Sequence, residues 1–227
     1  RDVQSSIDIE IVRPPLILIH GIWSSPALFN NFAPITTASS SDPRFHITRL
    51  DFAGQSSKPV DDIIGRWGTG IPVRLESAIT NAYADHVAVR GDVVGHSLGP
   101  VLMRYMAASR LPTVFTRRNG GAGHVHKLIS LDSPHLGSPY CSILADAVVN
   151  NPVRAALLDK ALAAFVVKGA VQDPATGGIV GDLRPTSSVI TVSAFPDYLS
   201  LQPRLHTIAS VVTTEQEEAN DYLIDLI

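Results

Sequence analysis

Gly95-His96-Ser97-Leu98-Gly99 sets a serine midway between two glycines, directly after the β-branched pair Val93-Val94. That order suits a strand turning sharply into a helix, with Ser97 exposed at the corner and the glycines keeping the crossing clear of side chains. G-x-S-x-G is a short pattern, and its force here comes from the strand-like run before it and the helical run after it. A serine hydroxyl is a poor nucleophile near neutral pH. Covalent chemistry at Ser97 therefore requires a histidine to take its proton, a carboxylate to orient that histidine, and donors for the oxyanion. A helix beginning behind Ser97 would aim backbone N–H groups and the positive end of its dipole at the centre where negative charge develops. Leu98 N–H is one candidate donor. The second is expected from the loop after an earlier central strand, where LILIHGIW supplies a His-Gly step; Ile22 N–H is the candidate, with Trp23 next in line.

Base and acid have less sequence signal. His135 follows a strand and Asp132 stands at that strand's carboxyl end, which makes them the in-chain candidates. For Asp132 a turn-capping carboxylate bonding nearby backbone N–H groups is the better reading. Glu215, Glu217, Glu218 and Asp221 follow a late strand and could host the acid, although a solvated charge run describes them better. His124 and His126 flank a glycine loop and are expected to be exposed. The histidines and the single cysteine show no metal-ligand spacing. Cys141 cannot form a disulfide within the chain and reads as a small buried hydrophobe, which leaves the compartment open.

Three segments resemble the α/β-hydrolase family, and within it the lipase and acyltransferase branch. LILIHGIWSS (16–25) is similar to its oxyanion loop, VVGHSLG (93–99) to its nucleophile elbow, and LISLDSPHLGSP (128–139) to a TPHLGS-like segment of lipases. A weaker likeness joins VGDLRPTS (180–187) and LHTIAS (205–210) to the stretch between the lid and the strand preceding the catalytic acid. The resemblance implies Ser97 as nucleophile and loop-building roles for His20, His96 and His135. Pro100 departs from the small residue common there, but a proline in a first helical turn loses no intrahelical hydrogen bond. The family's triad runs Ser, then Asp or Glu, then His after a last strand. No histidine follows His206, which begins a predicted strand and would sit at the sheet edge opposite the site. The domain therefore reads as incomplete at its C-terminus, with the missing triad members expected beyond Ile227.

These residues need a scaffold, and the sequence outlines one. PPLILIH (14–20) is a short continuous apolar run, as in a strand buried on both faces, and FHITRLDFAG (45–54) reads as its neighbour. Apolar Leu75, Ile79, Ala82, Tyr83 and Val87 recur at spacings of three and four, which predicts a helix from Val73 to Arg90 behind Pro72. GDVVGHS forms a strand, Leu98 to Met106 a helix, and 125–131 another strand. The segment 141–168 reads as helix in two pieces, broken at Asn150-Asn151-Pro152. Its second piece spreads Val153, Ala156, Leu157, Leu158, Leu162, Phe165 and Val166 over more than one face, so it is buried or meets something apolar. LHTIASVV (205–212) predicts a late strand, and EEANDYLIDLI (217–227) a final helix. Strands alternating with helices imply a single α/β domain over 1–227, a mostly parallel sheet flanked by helices, with a helical lid-like insertion at 138–185.

Composition narrows the partners. A formal charge of −3 with no basic run argues against nucleic acid, and no apolar run approaches the ~20 residues of a transmembrane helix. The expected activity is cleavage of carboxylic esters with lipid-like acyl groups through an acyl-enzyme on Ser97, with no cofactor and no metal. Two other readings stay open: acyl transfer to an alcohol from the same serine, and a non-catalytic binding domain, since no base stands in its expected place. Oligomeric state is left open as well.

Overall fold

The apolar runs around the serine become strands of one sheet. The computed structural model describes residues 12–32, 45–65, 70–83, 87–154, 156–157, 160, 178–193 and 204–208. Its strands are β1 (Leu16–Ile19), β2 (Ile47–Leu50), β3 (Gly91–His96), β4 (Val125–Leu131) and β5 (Arg204–Ile208). They lie in the order β2-β1-β3-β4-β5, and every pairing is parallel. Register sets the functional edge. Ile19 pairs with both Leu50 and Gly95, His96 with Leu131, and Leu131 with Ile208. The residues following β1, β3 and β4 therefore emerge together at the carboxyl edge of the sheet.

Each face of the sheet has its own apolar layer. Ile17, Ile19 and Val93 join one core with Leu75, Leu98, Val101, Leu102 and Ile179, while Leu18 and Val94 pack with Phe29 in a second cluster. Alternate side chains of a strand point to opposite faces, so β1 must be apolar at every position to serve both. Ile17, Leu18 and Ile19 are all fully buried.

Helices among the described residues include α1 (Val60–Ile64), α2 (Ile71–Thr80), α3 (Leu98–Ala108), α4 (Pro139–Asn150), α5 (Gly178–Asp182) and α6 (Ser188–Ser193). α2 begins with Pro72 in its first turn but stops at Thr80, well short of the predicted Arg90. Asn81 closes it, its N–H returning to Ser77 O, and residues 87–90 run without helix into β3. None of the described residues from Asn81 to Arg90 is helical, whatever their apolar spacing. α4 ends at Asn150, and Asn151 explains the break: its side chain accepts from the N–H groups of Val153 and Arg154 at 3.0 and 3.2 Å, capping the helical residues that follow.

The two ends of the 138–185 stretch meet. Ser138 N–H donates to Leu183 O at 2.8 Å, and Gly137, at φ 83°, lies so close to Pro185 that an added Cβ would come within 2.5 Å of its Cα. Leu144 of α4 and Ile179 and Leu183 of the returning arm are buried in the main core. Arg184 pairs with Asp146 at 2.9 Å. Residues 161–177, including Leu162, Phe165, Val166 and the helix end at Lys168-Gly169, lie outside the described residues. So do the strand continuation over 209–212 and the C-terminal helix.

His124 differs from expectation: it is buried. Positive φ at Gly120, Gly121 and Gly123 folds the loop back over it. Its Nε2–H then donates to Thr113 O at 2.8 Å, and its Nδ1 accepts from Asn119 Nδ2 at 3.2 Å. His126 is partly exposed and pairs with Asp92 at 2.8 Å. Among the described residues no helix is long and apolar enough to cross a membrane, and no group of three or more His, Cys, Asp and Glu side chains is placed to hold a metal ion.

Candidate active site

Ser97 stands at the corner between β3 and α3 with φ 53° and ψ −111°, a backbone conformation that side chains with a Cβ rarely adopt. Such strain costs ~1–3 kcal/mol and persists only where the surroundings enforce it. Here the enforcement is visible. Ser97 N–H donates to Leu131 O at 2.9 Å, and Ser133 Oγ–H donates to Ser97 O at 2.6 Å, so the end of β4 and the turn that follows it hold both sides of the serine. The glycines of the motif are steric necessities. A Cβ on Gly99 would lie 2.8 Å from Ile19 O, and one on Gly95 would lie 2.6 Å from Pro100 Cδ. α3 therefore starts flush against β1, and Pro100 packs directly onto its own strand.

Four described residues other than glycine have positive φ: Trp23 at 52°, Ser97 at 53°, Asp132 at 45° and Arg110 at 45°. The first three follow β1, β3 and β4 along one edge of the sheet, and strained residues cluster where a site needs a fixed geometry. The β1 loop touches the serine: a Cβ on Gly21 would fall 2.6 Å from Ser97 Cβ and 3.1 Å from Ser97 Oγ. Ile22, the next residue, is half-buried. Leu98 is fully buried and opens α3, so its N–H belongs to the first turn, which has no partner within a helix.

The histidines near this edge have other occupations. His20 is fully buried and stacked on Phe52 at 4.0 Å; its Nδ1–H donates to Gly21 O at 2.9 Å and its Nε2 accepts from Phe52 N–H at 3.1 Å. Burial holds it below the usual histidine pKa, outweighing the Asp51 carboxylate 3.5 Å away, so it is a neutral tie between the loops after β1 and β2. His135 places Nε2 2.7 Å from Ser130 Oγ, on a fully buried serine of β4. Burial, helped by the Arg104 guanidinium, lowers its pKa to about 4, and its buried Nδ1 has no hydrogen-bond partner among the described residues. That contact goes to Ser130 rather than Ser97, and so low a pKa makes a weak base near neutrality.

His96 is also lowered by burial, against the opposing pull of Asp132. Asp132 is exposed, and its backbone N–H donates to Ile208 O at 3.0 Å. His206 lies mid-way along β5 opposite Ile129, exposed and two strands from β3. Glu215, Glu217, Glu218 and Asp221 lie outside the described residues. Sequence reasoning overlooked Ser130 and Ser133. Their one signal was the position of Ser130 among the apolar residues Leu128, Ile129 and Leu131 of β4, and of Ser133 two residues past the strand's end.

Five parallel strands with a strained serine between strand and helix, at the carboxyl edge, define the class of α/β hydrolases. A model of the alpha/beta hydrolase family matches residues 16–222, and the chain belongs to that family, one of hydrolytic enzymes. No curated protein matches the chain. Among solved structures it is similar to the Bacillus licheniformis lipase BlEst2 in its mature form, with 15% identity and a TM-score of 0.57 over 96% of this chain and 78% of that one. The propeptide form of the same lipase gives 16% identity and a TM-score of 0.50 over 87% and 35%. A haloalkane dehalogenase, DatA from Agrobacterium tumefaciens C58, gives 10% identity and a TM-score of 0.43 over 96% and 88%.

Proposed function

We propose that the chain is a serine esterase that cleaves carboxylic esters with apolar acyl groups through an acyl-enzyme on Ser97. Ser97 Oγ attacks the ester carbonyl while a general base takes its proton; the alcohol leaves with a proton, and water releases the acid in a second attack. Leu98 N–H and Ile22 N–H receive the oxyanion, the first at the start of α3 and the second on the loop that touches Ser97 through Gly21. The observation that carries this reading is the strained Ser97, held from both sides at the carboxyl edge. The acyl preference is supported by apolar side chains turned outward beside the site and in the insertion: Leu136 is 78% exposed, Val153 68% and Leu157 62%. The 138–185 insertion serves as the acyl-binding wall or lid.

In the full-length protein a fluorophosphonate should label Ser97, and Ser97→Ala should abolish labelling and hydrolysis of a short chromogenic ester with little change in the unfolding midpoint. Labelling at another serine, or full activity in Ser97→Ala, would falsify this assignment.

A further inference from the structure

The peptide between Ser97 and Leu98 holds two groups of consequence. Its N–H is the proposed oxyanion donor, and its C=O accepts the 2.6 Å hydrogen bond from Ser133 Oγ. A trans peptide is planar, with C=O and N–H pointing in opposite directions, so anchoring one end aims the other. A hydrogen bond at the carbonyl also polarises the group and strengthens the N–H as a donor. We propose that Ser133 is a positioning residue of the oxyanion hole: its hydroxyl holds the Ser97 carbonyl and so directs Leu98 N–H at the substrate oxygen. The inference rests on the reading of Ser97 as nucleophile.

Ser133 acts as an anchor because its own place is fixed by other contacts. Asp132 N–H is bonded to Ile208 O at 3.0 Å, His135 N–H to Ser133 O at 2.8 Å, and the His135 ring to buried Ser130 at 2.7 Å. The segment is thereby tied to β4 and β5 independently of its contact with Ser97. Ser97, at positive φ, needs such a hold, since its relaxed conformations would turn the Ser97–Leu98 peptide away from its present direction.

The test compares Ser133→Ala, Ser133→Val and Ser133→Thr in the full-length protein on a short chromogenic ester, with rates counted per site reactive to fluorophosphonate so that misfolded chains do not register. Losing a whole oxyanion donor costs ~10²–10³-fold in kcat, and misaiming one should cost about tenfold. Ala and Val should lose that factor in kcat with KM unchanged, and Thr, which matches Val in shape but keeps the hydroxyl, should restore it. Affinity for a boronic acid, which mimics the tetrahedral anion, should fall in step with kcat. Wild-type kcat in Ser133→Ala, equal losses in Ala, Val and Thr, or a loss confined to KM would each overturn the role of Ser133. A wild-type protein that neither labels nor hydrolyses through Ser97 would instead sink the nucleophile reading beneath it.

Discussion

His135 is a histidine whose surroundings remove it from the chemistry its type invites. Burial, then the Arg104 guanidinium, lower its pKa to about 4, while an unfolded chain would protonate it near the ordinary histidine value. A lowered histidine pKa means that the unfolded state binds the proton first. His135 therefore costs nothing above about pH 6.5 and weakens the fold progressively as pH falls from there toward about 4. Between about pH 7 and about pH 5, wild type should lose about 2 kcal/mol of unfolding free energy that His135→Gln keeps, as read from urea titrations of both proteins. Equal losses in the two would show that His135 is accessible to protons in the folded state. His20, His96 and His124 are lowered in the same direction by burial, so the wild-type loss itself should exceed what His135 alone accounts for.

At the scale of elements, the elbow depends on how closely α3 can approach β1 and β3. Alanine inside a helix is ordinarily favoured over glycine by ~1 kcal/mol. At Gly99 the added Cβ would meet the backbone O of fully buried Ile19 at 2.8 Å, an atom that cannot yield, so overpacking at ~1–3 kcal/mol wins. Gly99→Ala should lower the melting midpoint and slow labelling of Ser97, whereas Gly54→Ala, with no atom within 4 Å of its Cβ, should do neither. Calorimetry and labelling rates on the two variants decide the matter; a neutral Gly99→Ala would mean that the helix start can shift without cost. The glycine spacing was legible in the sequence because a tight crossing demands it. The early end of α2 was not, because apolar spacing continued past Asn81 while the helix stopped at Thr80.

For the whole molecule, the question is what the 138–185 excursion does once its ends are clamped by Ser138 to Leu183 and by Gly137 against Pro185. Val153 and Leu157 stand outward, which leaves apolar side chains in solvent that the core does not require. If they line the path of an acyl chain, Val153→Asp with Leu157→Asp should depress kcat/KM for long-chain esters by about tenfold or more, as expected when several buried methylenes lose contact, and leave short esters and the melting midpoint nearly unchanged. A chain-length profile identical to wild type would remove the insertion from substrate selection.

The sequence by itself determined the elements around the serine and their order: the apolar β1 run, the serine between glycines, the strand through Leu131 and the break at Asn151 all depend on neighbours a few residues away; the short helices Val60–Ile64, Gly178–Asp182 and Ser188–Ser193 had no such local signal. It also carried the family, because a motif, its flanking strand and its helix are one local unit. Tertiary structure alone decided which side chains meet. Ser133 reaches Ser97 across 36 positions, His20 meets Phe52 across 32, and His135 turns to Ser130 instead of Ser97. His124 went from an expected surface site to a buried one for the same reason. Burial and hydrogen bonding depend on the strand order and register that bring distant segments together, and no spacing along the chain encodes them directly.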